Sequence, residues 1–377
     1  MTKKTKLYDI GTQFANELCA ISDFMYHNPE LGNQEFKAVE KITAFLTEHG
    51  FAVTCPVVGI ATAFTAVFDS KKPGASVAFI CEYDALPEIG HACGHNMIAA
   101  MSAGAGVALS KIANETGGKI YVFGTPAEET DGAKVAMTEA GLFDGLDAAL
   151  MIHPSDSTHE SGTSAAMEAL QFTYHGLTSH AAGSPEKGIN ALNAVIQLFN
   201  GIDALRQHVT PDVRMHGIIT KGGVAANIVP DLAVAQFYIR SATKENLAHV
   251  KEKVLQIANG TALMTGATLD VTNYEISYDD LKTHPALSDA FNENLRSLGV
   301  TDIGPPPGGS GSSDIGNVSN VVPTIHPYLG ISQTTITGHT REFADATITD
   351  FAHQRLFTGT MALAYTGHDV LTGGVNL

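Results

Sequence analysis

Residues 76–124 have the sequence SVAFICEYDALPEIGHACGHNMIAAMSAGAGVALSKIANETGGKIYVFG. The stretch begins and ends with short apolar runs at 76–81 and 119–123, which predict buried strands. Between them, residues 97–113 are rich in alanine and glycine and predict a helix that packs closely on a sheet. A strand, a crossover helix and a second strand form the βαβ unit of parallel sheets. The stretch therefore predicts an α/β layer architecture.

The rest of the first half continues this alternation of helix and strand patterns. We predict helices at 8–26 and 36–49, and further short apolar strands at 61–68 and 148–152. Regular alternation of this kind is typical of a largely parallel sheet that is covered by helices.

The order of the predicted elements changes from Met167 onward. The patterns give strand, helix, strand, strand, helix and strand, at 168–174, 189–207, 213–220, 232–241, 245–258 and 267–276. This order is that of the ferredoxin-like, split βαβ fold. We expect its second helix to end before Gly260, because glycine commonly follows the last turn of a helix.

The chain after Tyr278 contains too few elements to bury its own apolar faces. Its patterns predict two helices, at 285–298 and 347–365, and one strand at 324–329. We therefore expect this segment to rejoin the first half. The predicted fold class is α/β. A discontinuous domain of residues 1–166 and 279–377 has a mostly parallel sheet between helices, and residues 167–278 form an inserted ferredoxin-like domain.

The chain of 377 residues is acidic, with a formal net charge of −17. This charge repels nucleic-acid phosphates and anionic membranes, but it does not exclude a small anionic substrate. The N-terminus lacks the apolar segment of a signal peptide, and the most apolar stretch is shorter than the ~20 residues of a membrane span. Four cysteines without a framework spacing favour a reducing compartment. We expect a cytoplasmic protein without nucleic-acid or membrane partners.

The densest cluster of chemically active side chains is EYDALPEIGHACGHN at 82–96, directly after a predicted strand. Ligand sites of α/β folds lie at the carboxyl ends of strands. Cys93 and His95 offer a thiol and an imidazole that a tight turn can direct at one point. The alternative is a buried cysteine beside a capping histidine.

Two further predicted strands end in candidate ligands. The strand KIYVFG continues into TPAEET, so Glu128 and Glu129 follow it. Adjacent side chains diverge, so one carboxylate can bind a metal while the other acts as a general base. The alternative is the acidic start of a solvated helix. His153 ends the next strand pattern, DAALMIHP. Candidate ligands at the ends of three successive strands predict a metal site at one edge of the sheet.

These motifs and several others occur in a fixed order along nearly the whole chain. They are HNPELG at 27–32, EYDALP at 82–87, GHACGHN at 90–96, TPAEE at 125–129, IHP at 152–154, SHA at 179–181, GGVAANIVPD at 222–231, SSDIGNVS at 312–319 and GHTREF at 338–343. The set resembles metallopeptidase family 20, the aminoacylase and carboxypeptidase group of di-metal amidohydrolases. The Cys-Gly-His form is similar to the branch with p-aminobenzoyl-glutamate hydrolase and peptidase domain-containing dipeptidases.

The resemblance implies a role for each matching residue. The implied metal ligands are Cys93, His95, Glu129, His153 and His339. Glu128 would be the general base, and Asp84 would support a metal-binding histidine through a hydrogen bond. His326 is the competing late histidine, but it lies in an apolar strand pattern. We prefer His339, which lies in a polar loop beside a glycine.

The resemblance also implies a cofactor of two divalent metal ions. A thiolate among imidazoles and carboxylates suits zinc, and manganese and cobalt are the alternatives. Many relatives have aspartate after Cys-Gly-His, whereas this chain has Asn96. The missing negative charge can alter the affinity or preference for the metal.

The inserted domain would then act as a lid and dimerisation domain beside a catalytic domain. By resemblance, His180 lies near the scissile carbonyl oxygen, often from the partner subunit of a dimer. Asn227 and Arg240 would bind the terminal carboxylate of the substrate, for which arginine is suited. Ser313, within SSDIGNVS, is a further substrate-binding candidate. The alternatives are a surface ion pair for Arg240 and a plain turn residue for Asn227.

The predicted function is metal-dependent hydrolysis of an amide bond next to a free carboxylate. The substrate would be an N-acyl amino acid, a dipeptide or a p-aminobenzoyl-glutamate-like molecule, cleaved by a homodimer or higher homo-oligomer. The alternatives are a dipeptidase or carboxypeptidase, or an inactive metal-binding homologue. The glycine-rich run at 304–314 lacks the lysine of a P-loop and the Gly-x-Ser-x-Gly of a serine hydrolase. We predict a wall of the substrate cleft there, or a plain surface loop.

Overall fold

The computed structural model describes residues 3–306, 308 and 311–377. The chain forms two compact units. The first contains the chain up to Thr163 and most of the chain from Leu281 onward. The second contains Ser164–Asp280 and the short segment that ends at Ser312. Of the glycine-rich run predicted as a cleft wall, Pro307, Gly309 and Ser310 lie outside the described residues.

The first unit is built on a central sheet with the strand order β1-β2-β4-β3-β5-β11. The strands β4, β3, β5 and β11 run parallel, while β1 and β2 pair antiparallel at one edge. The predicted mostly parallel sheet is therefore confirmed. The strand bounds are β1 Ala52–Thr54, β2 Phe64–Asp69, β3 Ser76–Cys81, β4 Lys119–Gly124, β5 Ala148–Leu150 and β11 Thr324–Ile325.

Helices surround this sheet. Their bounds are α1 Lys3–Thr12, α2 Ala15–His27, α3 Phe36–Glu48, α4 His95–Ser110, α5 Ala113–Thr116, α6 Ala133–Glu139, α9 Pro285–Ser297, α10 Ile315–Ser319, α11 Arg341–Ala346 and α12 Asp350–Leu371. The prediction of a single helix at 8–26 is wrong, because the helical conformation is interrupted between α1 and α2. Gly11 and Thr12 are poor helix formers. The Thr12 hydroxyl also donates to the carbonyl of Asp9.

The helix α4 is buried along its whole length. Its small residues allow this: a Cβ added at Gly106 would lie 2.7 Å from Val122 of β4, and one at Gly104 would lie 2.5 Å from Leu18. The alanine- and glycine-rich pattern thus indicates close packing between sheet and helices. The packing fixes the start of α4, and with it Cys93 and His95, at the edge of the sheet.

One predicted strand is wrong in a way that matters for the site. The strand predicted at 324–329 is divided, because Pro327 has no N–H group to continue the ladder. The second part, β12 at Tyr328–Gly330, pairs in parallel with β6 at His153–Ser155 in a separate small sheet. His153 therefore begins its own strand, instead of ending the strand predicted at 148–152.

The second unit has the order β7-α7-β8-β9-α8-β10, with an antiparallel sheet in the order β10-β7-β9-β8. This is the ferredoxin-like arrangement that the sequence predicts. The bounds are β7 Ala166–His175, α7 Ala191–Leu205, β8 Arg214–Lys221, β9 Leu232–Ser241, α8 Lys244–Thr265 and β10 Thr268–Asn273. The predicted end of α8 before Gly260 is wrong, since Gly260 is exposed and Gly266 takes the left-handed conformation after the last turn.

Within the described residues, none of the helices combines the length and the apolar character that crossing a membrane requires.

Candidate metal centre and active site

Among the residues that the structure describes, three small groups of side chains in the first unit could each hold a metal ion. Within each group the ligand atoms lie within 4.8 Å of one another. The groups are Cys93, His95 and His153; Cys93, Glu129 and His339; and His95, Glu128 and Glu129. The structure therefore brings together all five side chains that the resemblance implies as ligands, together with the implied general base.

Two histidines of the cluster, the buried His95 and the partly buried His153, each have an oxygen atom beside Nδ1. Nδ1 of His95 lies 3.0 Å from the side chain and 3.0 Å from the carbonyl oxygen of Asp84. Nδ1 of His153 lies 2.7 Å from the carbonyl of Pro154. Because these oxygens accept hydrogen bonds from Nδ1–H, Nε2 is the ring nitrogen of each histidine that remains to bind a cation. Asp84, which is expected to support a metal-binding histidine, is the residue that contacts Nδ1 of His95.

The Cys93 thiol belongs to two of the three groups. Its Sγ atom lies 3.4 Å from Nε2 of His153. Burial raises the pKa of the Cys93 thiol to about 12. Burial also lowers the pKa of His153 far below its ordinary value, so the imidazole is neutral. A cation would reverse the effect on the thiol, since coordination deprotonates it.

A buried atom without a hydrogen-bond partner indicates that the cluster fits a cation. Nε2 of His95 is buried and has no such partner among the described residues, and the atom nearest to the buried Oε1 of Glu129 in an ion pair is Nε2 of His339, 3.2 Å away. A buried polar atom in this state costs about 1–3 kcal/mol unless something binds it. Thiolate, imidazole and carboxylate together form a donor set suited to zinc. The residues present therefore fit divalent metal ions.

Glu128 and Glu129 lie in an irregular loop directly after β4. Ala127, just before them, has a left-handed φ of 59°. The N–H of Glu129 donates to Oδ2 of Asp84 over 3.1 Å. Burial raises the pKa of Glu128 well above its ordinary value. The nearby carboxylates of Glu82 and Asp314 raise it further, which is the direction that a general base needs.

A buried ion-pair network lies beside this loop. The ammonium group of Lys134 is 2.5 Å from Oε1 of Glu82 and 2.7 Å from Oδ1 of Asp314, and all three residues are buried. Oε2 of Glu82 lies 3.6 Å from Nε2 of His95. The sequence analysis did not single out Lys134. The sequence signal that could have identified it is its position among the apolar residues of Ala133–Met137, because a lysine buried in such a segment needs acidic partners.

The two late histidines occupy different surroundings. His339 has a left-handed φ of 59°, and its Nε2 lies 3.2 Å from Oε1 of Glu129. His326 is buried behind the cluster, with ring centroids 5.4 Å apart between it and His153. Burial lowers the pKa of His326 to about 3. Of these two histidines, only His339 belongs to one of the ligand groups found among the described residues.

Asn96 has a structural contact of its own. Its amide nitrogen lies 3.0 Å from the hydroxyl of Ser22 and 3.1 Å from that of Thr347. The side chain thus ties α4 to α2 and to the loop after α11. An aspartate could not donate these two hydrogen bonds.

The implied substrate-binding residues His180, Asn227 and Arg240 belong to the second unit. His180 is exposed, and its Nδ1 accepts hydrogen bonds from the N–H groups of Ala182 and Gly183 over 3.2 and 2.9 Å. Its proton therefore resides on Nε2. Asn227 is an exposed turn residue whose carbonyl accepts from Ala181, beside His180.

Arg240 lies near the end of β9. One of its guanidinium nitrogens is 3.2 Å from the hydroxyl of Ser312, and the guanidinium carbon is 5.6 Å from the ring of Tyr238. Ser313 belongs to the first unit, directly before Asp314 of the buried network.

An α/β sheet edge that carries such a ligand cluster is typical of a metal-dependent enzyme. The sequence pattern of peptidase family M20/M25/M40 matches residues 78–354. The chain belongs to this family.

Relatives with known names support the same class. The chain is 37% identical to the Xaa-Arg dipeptidase of Mus musculus, over 95% of this chain and 86% of that protein. It is 34% identical to one of the subunits of p-aminobenzoyl-glutamate hydrolase from Escherichia coli, over 75% of this chain and 62% of that protein. The chain is accordingly a hydrolase that acts on amide bonds.

Two solved structures share the fold. One is the aminobenzoyl-glutamate utilization protein of Klebsiella pneumoniae, with a TM-score of 0.73 and 20% identity, covering 96% of this chain and 98% of that one. The other is a Bacillus subtilis protein described as a dinuclear metal binding peptidase from the M20 family. It has a TM-score of 0.69 and 19% identity, covering 94% of this chain and 99% of that one.

Proposed function

We propose that this chain hydrolyses the amide bond of a dipeptide or an N-acyl amino acid with a free carboxylate, using two divalent metal ions. The observation that carries the proposal is the convergence of Cys93, His95, Glu129, His153 and His339 on one sheet edge. These five residues come from four separate segments of the chain, because only Cys93 and His95 are neighbours in sequence. A purely structural role would not require so many ligand types at one point.

The two metal positions share the Cys93 thiol. One ion would be held by Cys93, His95 and His153, and the other by Cys93, Glu129 and His339. Divalent cations bound there would supply an activated water and Lewis-acid polarisation of the scissile carbonyl. Zinc is the proposed metal because of the thiolate, with manganese or cobalt as alternatives.

Glu128 is the proposed general base. Its carboxylate belongs to a ligand group with His95 and Glu129, yet it is not needed to complete either position. It would accept the proton of the attacking water and deliver it to the leaving amine. Positioned proton transfer of this kind contributes about 10²–10⁴ in rate.

The second unit would bind the substrate, as a lid and dimerisation domain of a homo-oligomer. His180 carries its proton on Nε2, so it can donate to the oxygen on which negative charge develops. Arg240 and Asn227 would bind the free carboxylate, for which the guanidinium offers a bidentate geometry. Ser313 of the first unit is a further substrate-binding candidate. A cytoplasmic location stays a prediction from the sequence.

A dipeptidase activity is the first form of the reaction to test. The mouse relative is named an Xaa-Arg dipeptidase and the bacterial one a hydrolase of p-aminobenzoyl-glutamate. Both names describe an amide bond whose amine side is an amino acid. The substrate screen should therefore contain dipeptides ending in arginine or lysine, acylated amino acids and p-aminobenzoyl-glutamate.

The test of the proposal is Glu128→Gln beside a matched control, Glu139→Gln, an exposed glutamate of α6. Enzyme loaded with zinc, manganese or cobalt is assayed on the screen, and bound metal is measured. We expect Glu128→Gln to lose turnover by about 10² or more at unchanged metal content, and the control to match wild type. Loaded wild-type protein that cleaves none of these substrates would support the inactive metal-binding homologue instead.

A further inference from the structure

Glu35 lies just after the HNPELG segment, and its side chain is fully buried. Its Oε2 accepts a hydrogen bond from the hydroxyl of Thr62 over 2.7 Å. Its Oε1 accepts from the backbone N–H of Ala127 over 2.9 Å. A carboxylate removed from water is costly unless it has such partners. The hydrogen bond from Ala127 therefore connects this buried carboxylate to the loop that carries Glu128.

Ala127 adopts a conformation that L-residues other than glycine rarely take. Its φ is 59°, and the residue has no exposed surface. A left-handed alanine persists only where its surroundings hold it in place. The hydrogen bond to Glu35 is one such constraint, and it acts on the residue directly before Glu128.

Two buried carboxylates thus hold the backbone on either side of Glu128. Glu35 accepts from the N–H of Ala127, and Asp84 accepts from the N–H of Glu129. Asp84 also contacts His95, so its replacement would disturb a proposed metal ligand directly. The described hydrogen bonds of the Glu35 side chain involve Thr62 and Ala127 and no proposed ligand.

The segment before Glu35 packs directly on the same loop. A Cβ added at Gly32 would lie 2.9 Å from the Cβ of Ala127 and 2.5 Å from the hydroxyl of Thr130. The carbonyl of Glu30 accepts from the N–H of Ala85, next to Asp84. The segment therefore contacts both loops that carry the active-site acids, and only glycine allows so close an approach at residue 32.

We infer that Glu35 is a positioning residue, which orients Glu128 by fixing the left-handed conformation of Ala127. This inference rests on the proposed role of Glu128 as the base. Without the bond from Glu35, the loop relaxes toward a commoner conformation and the carboxylate of Glu128 moves. A misplacement of about 1 Å in a catalytic group lowers the rate by about 10². The loss falls on kcat, because the substrate contacts proposed for the second unit are untouched.

The experiment compares Glu35→Ala, Glu35→Asp and Glu35→Gln in the metal-loaded, full-length enzyme. Alanine removes the acceptor, and aspartate withdraws it by one methylene group while keeping the charge. Glutamine keeps an oxygen in place for the N–H of Ala127, and the hydroxyl of Thr62 can turn to accept from the amide. The matched control is Glu30→Ala, a neighbouring glutamate whose side chain instead accepts from the N–H groups of Lys37 and Ala38.

We expect kcat to fall by about 10² in the alanine and aspartate variants, with KM within about threefold and bound metal unchanged. Glutamine should restore most of kcat. If the alanine variant does not fold, the aspartate and glutamine variants still give the comparison. A normal kcat in Glu35→Asp, or a loss in Glu35→Gln as large as in Glu35→Asp, would overturn the inference. So would a fall in kcat that is matched by loss of metal.

Glu128→Gln, measured in parallel, separates this inference from the proposed function. An inactive Glu128→Gln beside a fully active Glu35→Asp would remove only the positioning role. An active Glu128→Gln would remove the base itself, whatever Glu35 does.

Discussion

Replacing Lys134 by methionine is a direct test of the buried network beside the active site. The ammonium group lies 2.5 Å from Glu82 and 2.7 Å from Asp314, and each of the three residues is at most 1% exposed. Methionine has nearly the same length and shape, so little space changes. The substitution removes the cation and leaves two buried carboxylates without it.

The expected loss of stability is large. Removing one partner of a buried ion pair typically costs about 3–5 kcal/mol, because the remaining charge stays desolvated. For a unit of this size each kcal/mol shifts Tm by about 2–4 °C, so we expect Tm to fall by about 6–20 °C. The loss should also depend on pH. Burial raises the pKa of both Glu82 and Asp314, so both become neutral as pH falls. The loss of stability caused by Lys134→Met is therefore smaller at acidic pH and grows as pH rises.

The assay is thermal and urea unfolding of Lys134→Met at several pH values, with and without added metal. The matched control is Lys6→Met, whose ion pair with Glu115 is on the surface, with side chains 47% and 44% exposed. We expect the control to leave Tm nearly unchanged, since exposed pairs contribute little. A loss below about 1 kcal/mol for Lys134→Met, or one that does not vary with pH, would refute the reasoning.

Three further predictions concern the cluster, the sheet and the buried acid. Cys93→Ser is expected to lower bound metal after dialysis, measured by mass spectrometry, because it removes the ligand that two groups share; full retention would contradict the role of Cys93 as a metal ligand. Gly124→Ala should lower the free energy of unfolding by about 3 kcal/mol or prevent folding, because the added Cβ would lie 2.1 Å from the ring of Phe64. Gly260→Ala, with open space around it, is the control. Burial raises the pKa of Glu35 to about 7, so wild type should lose stability between pH ~4.5 and ~7 relative to Glu35→Gln. The difference should reach about 3 kcal/mol at pH ~8 in urea unfolding, and a constant difference across that range would contradict it.

The sequence predicted the elements whose patterns are long and regular. Ser76–Cys81 and Leu232–Ser241 have the predicted bounds, because each is a largely apolar run of strand length with polar or turn-forming residues on both sides. The prediction of one strand at 324–329 was wrong, since an apolar run does not show that the chain leaves the central sheet near Pro327 and joins another sheet. The helix α8 continued through Gly260 because an exposed glycine in a long helix is only mildly unfavourable.

For the site, the sequence pointed to residues that belong to motifs. Cys93, His95 and Glu129 follow predicted strands, and the structure places them together. Lys134 and Glu35 were not singled out, because their importance depends on burial and on partners far away in the chain. Lys134 is paired with a residue 180 positions later, and Glu35 with one 92 positions later. No local pattern carries such information.

The two buried networks beside Glu128 differ in how their charge is compensated, and this determines how each tolerates change. Asp314 and Glu82 share a full positive charge on Lys134, so removal of the cation is strongly unfavourable. Glu35 has only neutral donors, Thr62 and Ala127, and its raised pKa shows that its negative charge is poorly compensated. A neutral side chain of the same shape is therefore expected to stabilise the fold at Glu35, while at Lys134 it destabilises the fold. What Glu35 contributes is the position of an acceptor oxygen, and position matters where a strained loop carries the base.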